Sequence, residues 1–424
     1  MPSKNSLNSQ DYLDPEFGKE GTVVIEYPDN TSSYADGITV APEGKLLIAG
    51  SYGRRFSIVR LNSDGKKDPS FGNNGIATGV FEEGFNSKGN HITVLKSGEV
   101  LLSGSFALTE YAPSERGLAL FDKNGVPVKE FGNNGVTVIR PFETVEPTPS
   151  EKLQKSESAV SLDSFSTELP DGKLMVISNY RFSITENAGV LFRLHRNGRV
   201  DTTFGPEQKG YVYIRHPEYS TWIGSMIKFG DKFAFAGSTS VDGKSTGLVT
   251  VYNADGIPFD EFGDKGYSLL NSITAPSALF GLALSVNNIL AFGCTFGPPH
   301  GGLLVCLDAK GEPVKNFNNG EPVHTPVDAP FGVQWLSGAL REDGKVVVVG
   351  DTLGEEDSKV VIAQYRRDGG LDADFGEKGL LRVNLTAVLD TSRAIAVQGN
   401  DQIVVAGSSL PINDRVRSFV FRLR

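Results

Sequence analysis

The side chains able to do chemistry are few in this sequence. Histidine, the usual general base and metal ligand near neutral pH, occurs five times: His91, His195, His216, His300 and His324. No HxH or CxxC spacing brings two ligands together, and a metal site needs several that converge. The two cysteines, Cys294 and Cys306, are too few for a disulfide framework. They read as free thiols in one hairpin, Cys306 as a small packing residue. Asn62, Asp64, Gly65 and Asp68 echo a calcium loop, but its first acidic ligand and terminal Glu are missing, so the segment reads as a turn. The recurring F-G-x-x-G is no dinucleotide fingerprint, because no helix follows it. No catalytic residue, metal ligand or cofactor is therefore assigned. The residues suited to recognition are aromatic: Tyr34, Trp222, Phe280, Phe331 and Trp335, which include both tryptophans of the chain.

What must position them is a repeat. D-x-x-F-G-x-x-G runs from Asp14 to Gly21 and again from Asp68 to Gly75, and weaker copies centre on Phe131, Phe204, Phe262, Phe317 and Phe375. Counted from Phe17, successive Phe spacings are 54, 60, 73, 58, 55 and 58. Three further landmarks travel with it. One is a turn before an apolar run (PEGKLLIAGS, EDGKVVVVGD), one a strand running into Asp-Gly or Asn-Gly (FSIVRLNSDG, VLFRLHRNG), and one a short apolar stretch after the glycines (GTVVIEY, GYVYIR). Each unit reads as four short strands, in the first full unit near 37–41, 45–51, 55–62 and 75–80. Val, Ile and Phe fill them, and Gly, Asn and Asp supply the tight turns.

Four-stranded antiparallel units at a period of about 55 residues fit the blades of a β-propeller. A lone blade cannot bury both faces, whereas a closed ring of blades can. The expected fold is all-β: a seven-bladed propeller of four-stranded antiparallel blades. SFVFRLR at the C-terminus reads as a third strand lacking its fourth, and DPEFGKEGTVVIEY near the N-terminus as a fourth strand lacking its blade. Pairing the two would close the ring. The chain then divides into a polar tail, 1–12, and one propeller domain, 13–424, with an inserted loop at 141–164.

The combination EGKLLIAGS…FSIVRLNSDGKKDPSFGNNG resembles the delta-60 repeat, a bacterial β-propeller repeat of unknown function, and is more distantly similar to NHL-type repeats. The resemblance covers essentially the whole chain from Leu13. It implies a fold, and it implies no activity and no catalytic residues.

Composition narrows the function classes. With 51 acidic and 41 basic residues the chain carries a net charge of −10, which argues against a nucleic-acid partner. No apolar stretch approaches membrane-spanning length, and MPSKNSLNSQ is unlike a secretory signal, so the default expectation is cytoplasmic, with signal-independent export left open. In such a ring the turns between second and third strands share one end, the mouth, with the crossovers between blades. The unusual loops fall there: 105–116, 141–164, 178–189, 215–222 and 294–302. So do the five aromatic residues, and His91, His216, His300 and His324 in different blades, while His195 falls on the opposite end. Loops varying on a rigid ring suit recognition of a protein, peptide or carbohydrate. The expected function is a non-catalytic binding module. The alternative is a propeller hydrolase or lactonase with a central site. It would need inward-facing acids or histidines on the innermost strands, whose predicted segments (ITVAPEG, ITVLKSG, LALSVNN, SGALRED) are mostly apolar or small.

Overall fold

Each repeat folds into one four-stranded antiparallel sheet, and seven such sheets follow one another along the chain. The computed structural model describes residues 9–109, 114–141, 164–182, 186–354, 358–386, 389–411 and 414–424. Most of the 141–164 insertion, and parts of the loops at 105–116 and 178–189, lie outside them. Blade 1 consists of Ser33–Val40, Leu46–Tyr52, Arg55–Leu61 and Ile76–Gly79, from the innermost strand outwards. The innermost strands of blades 2 to 6 are Asn86–Val94, Ser164–Glu168, Thr221–Phe229, Ser277–Ser285 and Val333–Leu340. Blade 7 takes Leu389–Val397, Ile403–Leu410 and Arg417–Arg422 from the C-terminal end and completes itself with Thr22–Val24. In that closing pair Thr22 faces Phe421 and Val24 faces Phe419. No helix among the described residues is long and apolar enough to cross a membrane.

The second strands explain the unbroken apolar runs in the sequence. Leu46–Tyr52 and Val346–Thr352 are buried at every position, because both sheet faces pack against neighbouring blades. The core is accordingly a series of clusters, each shared by two adjacent blades. Phe17, Val404 and Val420 of blade 7, for example, meet Leu46, Ile48 and Val59 of blade 1. Each fully buried Leu, Ile or Phe contributes about 1.5–3 kcal/mol.

Two devices recur between these clusters. The first joins blades. Phe17, Phe71, Phe131, Phe204 and Phe262 are at most 1% exposed. Each sits against the glycine turn of the following blade, Asp-Gly or Asn-Gly in four cases and Lys310-Gly311 for Phe262: a Cβ on Gly65 would lie 3.1 Å from Phe17, and one on Gly125 3.0 Å from Phe71. Both turn glycines also have positive φ, 85° and 78°, so backbone and packing each demand glycine. The glycine after the Phe donates its N–H to a carbonyl of the same turn, Gly18 to Asp64 at 2.8 Å and Gly132 to Asn197 at 2.8 Å.

The second device ties a blade's own strands. Asp68 accepts from Arg60 Nε at 2.9 Å and from Lys45 Nζ at 3.0 Å, and Arg60 lies over the Phe71 ring at 4.6 Å. Blade 3 repeats this with Asp201, Arg193 and Lys173. Blade 6 uses Asp372, Gln364 and Lys345. Blade 7 builds it from both ends of the chain: Asp14 with Arg422 at 2.8 Å and Gln402 at 3.1 Å. In blades 2, 4 and 5 the same backbone hydrogen bond joins Leu120 to Val128, Val251 to Phe259 and Cys306 to Val314. There both charges of the pair are replaced together by apolar or weakly polar residues. Asp68 and Asp201 answer the calcium-loop resemblance, since their oxygens are occupied by Lys, Arg and hydroxyl donors.

Candidate functional site

The innermost strands begin earlier than the apolar pattern predicts. In blade 1 the strand starts at Ser33, four residues before the expected boundary, because a β-bulge at Asp36 interrupts the alternation. The same irregularity recurs at Asn90, Gly224, Phe280, Leu336 and Arg393 in blades 2, 4, 5, 6 and 7. Two tiers of equivalent positions therefore ring the axis near the mouth. The bulged residues form one. Two positions earlier, Tyr34, Lys88, Trp222, Ala278, Gln334 and Thr391 form the other.

These tiers are not uniform. Blades 4 and 5 place Trp222 and Phe280 edge-to-face, with ring centroids 6.0 Å apart. Blades 7, 1 and 2 bring Arg393, Asp36, Lys88 and Asn90. Burial raises the Asp36 carboxyl above its ordinary value, and the charges of Arg393 and Lys88 partly oppose that rise. Lys88 also lies 5.8 Å from the Tyr34 ring centroid. Beside Arg393, Ser392 donates both its N–H and its hydroxyl to Asp351 Oδ1, each at 2.7 Å. Burial still raises Asp351 to about 6. Asp390, on the same strand, is buried and accepts from the N–H groups of Leu385 and Thr386. The innermost strands thus carry charged groups that the sequence pattern assigned to crossovers. The expectation of a mostly apolar axis holds only for the half of each strand beyond the bulge.

Of the five aromatic candidates, the structure brings Trp222 and Phe280 into contact and places Tyr34, 37% exposed, in the same tier as Trp222. Phe331 is more exposed, at 54%, and packs against His300 on the loops of blades 5 and 6. Trp335 is fully buried between blades 5 and 6, where it covers Gly302. It occupies the strand position between the two tiers, and that position turns into the neighbouring blade.

The histidines are dispersed. His91 follows the blade 2 bulge, lies 5.2 Å from the Phe165 ring and is lowered to about 4 by burial, which keeps it neutral. His216 stacks on Tyr219 at 4.8 Å, and His324 lies on the outer strand of blade 5, the blade whose loop also carries His300, so these two share a blade against expectation. His195 approaches Asp201 at 3.8 Å at the opposite end. Among the described residues no three His, Cys, Asp or Glu side chains gather as a metal site would require. Cys294 and Cys306 pair with Gly302 and Leu290, not with each other, and burial pushes each thiol up to about 12. A surface depression of about 660 Å³, lined by Asn288, Asp308, Glu312 and Val314, lies at the other end of blade 5. It marks the place where Asn288, Cys306 and Val314 stand instead of a lysine, arginine and aspartate.

The repeat has a counterpart among known families. Residues 41–71, 169–204 and 341–375 match a family described as a domain of unknown function (DUF5122) beta-propeller. These stretches are the contiguous copies in blades 1, 3 and 6 that carry the buried aspartate tie. The fourth copy, in blade 7, is split between the chain ends, where no contiguous match can span it. Among solved structures, similarity extends to a protein of unknown function from Dyadobacter fermentans, at 9% identity over 97% of this chain and 100% of that one, TM-score 0.46. Drosophila Semaphorin 1b, extracellular domains 1-2, aligns at 10% identity over 92% of this chain and 86% of that one, TM-score 0.48. The GH74 xyloglucanase of Xanthomonas campestris aligns at 11% identity over 91% of this chain and 53% of that one, TM-score 0.48. A search among curated proteins found no match.

Proposed function

We propose that the ring is a non-catalytic binding module that engages a protein, peptide or glycan at its mouth. The observation that carries this reading is the pairing of Trp222 and Phe280 on adjacent innermost strands, in tiers that also hold Tyr34 and a charged sector. Such a surface combines a rigid aromatic anchor with polar groups that fix orientation. A second reading, a hydrolase or lactonase with a central site, is favoured by one feature: Asp36 and Asp351 are carboxyls held above their usual range near the axis, as an acid–base pair would need. Asp351 is weakened in that role because Ser392 occupies one of its oxygens.

The test is binding to glycan and peptide arrays by the intact protein and by the Trp222→Ala/Tyr34→Ala variant. The wild type is expected to retain a ligand that the variant loses while its circular dichroism stays unchanged. Undiminished binding by the variant overturns the mouth reading. Turnover of a bound ester or glycoside that disappears in Asp36→Asn would establish the second reading in its place.

A further inference from the structure

We infer that the mouth takes an acidic saccharide, with a sugar ring against Trp222 and Phe280 and a carboxylate at Arg393 and Lys88. This rests on the mouth-binding reading and specifies its ligand. Three observations carry it.

The first is an unspent cation. Arg393 sits at the bulge of the innermost strand of blade 7, half-buried, and makes no hydrogen bond or ion pair with the described residues. A guanidinium with its planar fork of donors unused is matched to a carboxylate, which can take two of them. Lys88, two blades on, likewise makes no ion pair with the described residues; it lies near the Tyr34 ring and its charge acts on Asp36. Arg60, Arg193, Arg341 and Arg422, by contrast, each meet an aspartate, while Arg54, Arg55 and Arg367 spend donors on neutral oxygens.

The second is the state of the neighbouring acids. Asp36 and Asp351 are the carboxylates whose charges act on Arg393, and burial shifts both toward their neutral forms. Asp390 faces its own ring of backbone donors. The Asp36 and Asp351 carboxyls reach Arg393 through space but make no ion pair with it, so its donors stay unengaged although the whole chain is acidic.

The third is the company the cations keep. The tiers hold Asn90, Gln334, Thr391 and Asp36, side chains with the donors and acceptors that hydroxyl groups take, and with Leu336 buried the large apolar groups left to a ligand are aromatic. A peptide bound by strand addition would need a free sheet edge, and the outer strands of blades 4 and 5 are only three residues long. Blades 4 and 7 lie apart in the ring order, so the ligand spans the mouth and an oligosaccharide suits it better than a single sugar.

The experiment is titration calorimetry with a panel of uronate-containing trisaccharides and their carboxyl-reduced neutral counterparts. The wild type is expected to bind at least one acidic member roughly tenfold or more tightly than its neutral partner, a ratio typical of a charge-assisted hydrogen bond. Arg393→Gln and Lys88→Gln should each reduce the ratio of acidic to neutral affinity to about one, with circular dichroism reporting an intact fold. Trp222→Ala should weaken acidic and neutral ligands alike. Equal affinity for the acidic and neutral members, an unchanged preference in Arg393→Gln, or no binding across the acidic panel each overturns the inference. If neutral sugars bind and Trp222→Ala abolishes it, the mouth reading stands while the acidic specificity falls. If binding survives Trp222→Ala, the mouth reading itself falls.

Discussion

Asp351 has a signature that can be read in solution. Its carboxyl rises from 3.8 to about 6 on folding, so the native state holds its proton more tightly than the unfolded chain does. Stability from this group is complete below pH 3.8 and is lost as the pH climbs towards 6, by about 3 kcal/mol in all. The Asp351→Asn variant keeps an acceptor for Ser392 and removes the titration. Buried His91, lowered to about 4, acts in the opposite sense over this range, so urea unfolding between pH 4 and 6 should show stability changing with a more positive pH slope in the variant than in the parent, and identical slopes would refute the assignment. Asp68 behaves in the opposite sense. Burial would raise it, but hydrogen bonds from Ser70 and Lys45 and the charge of Arg60 hold it well below the usual range. Its contribution is present above pH 3.8 and disappears as the pH falls below that value.

At the scale of a blade, the aspartate tie and its apolar substitute are two solutions to one packing problem. Removing one partner leaves the other charged and enclosed, which costs roughly 3–5 kcal/mol. Asp68→Val alone should fall in that range. Arg60→Leu/Asp68→Val, which writes the Leu120 and Val128 pair of blade 2 into blade 1, should recover most of the loss in a double-mutant cycle. A double variant as unstable as the sum of its singles would show that blade 1 cannot use the apolar arrangement. This scale also shows what was legible from sequence. The Phe that locks neighbouring blades and the glycine it rests on are local motifs, repeated often enough to be counted. The tie joins Lys45, Arg60 and Asp68 across three strands, and only the register reveals that they meet. The tiers were hidden for another reason. A bulge breaks the two-residue alternation, so Asp36, Asn90 and Arg393 resembled loop residues, and Trp335 resembled a neighbour of Trp222 although one position of register sends it into the core.

At the scale of the ring, closure depends on residues 13–25. They supply Asp14 to Arg422, Phe17 to the turn of blade 1 and Thr22–Val24 to the edge of Arg417–Arg422. Deleting residues 1–25 should lower the thermal midpoint by at least about 5 °C, since it removes a buried pair and a core phenylalanine together. A circular permutant that joins Arg424 to Ser9 through a short linker and opens the chain at Gly53 keeps every strand pair. Its midpoint should stay within a few degrees of the parent by circular dichroism, and failure to fold would mean that the order of synthesis, not only the contacts, shapes the ring.

The bridge between Leu13 and Leu423 sets the C-terminal residues at one rim of the molecule, at the end of the axis away from Trp222 and Arg393. Anything fused there, whether a tag, a bead or a second protein, would hold the ring by its back. Immobilised through the C-terminus, the molecule would present the proposed recognition surface outward, so a sensor chip prepared in this way should lose little of its capacity to orientation.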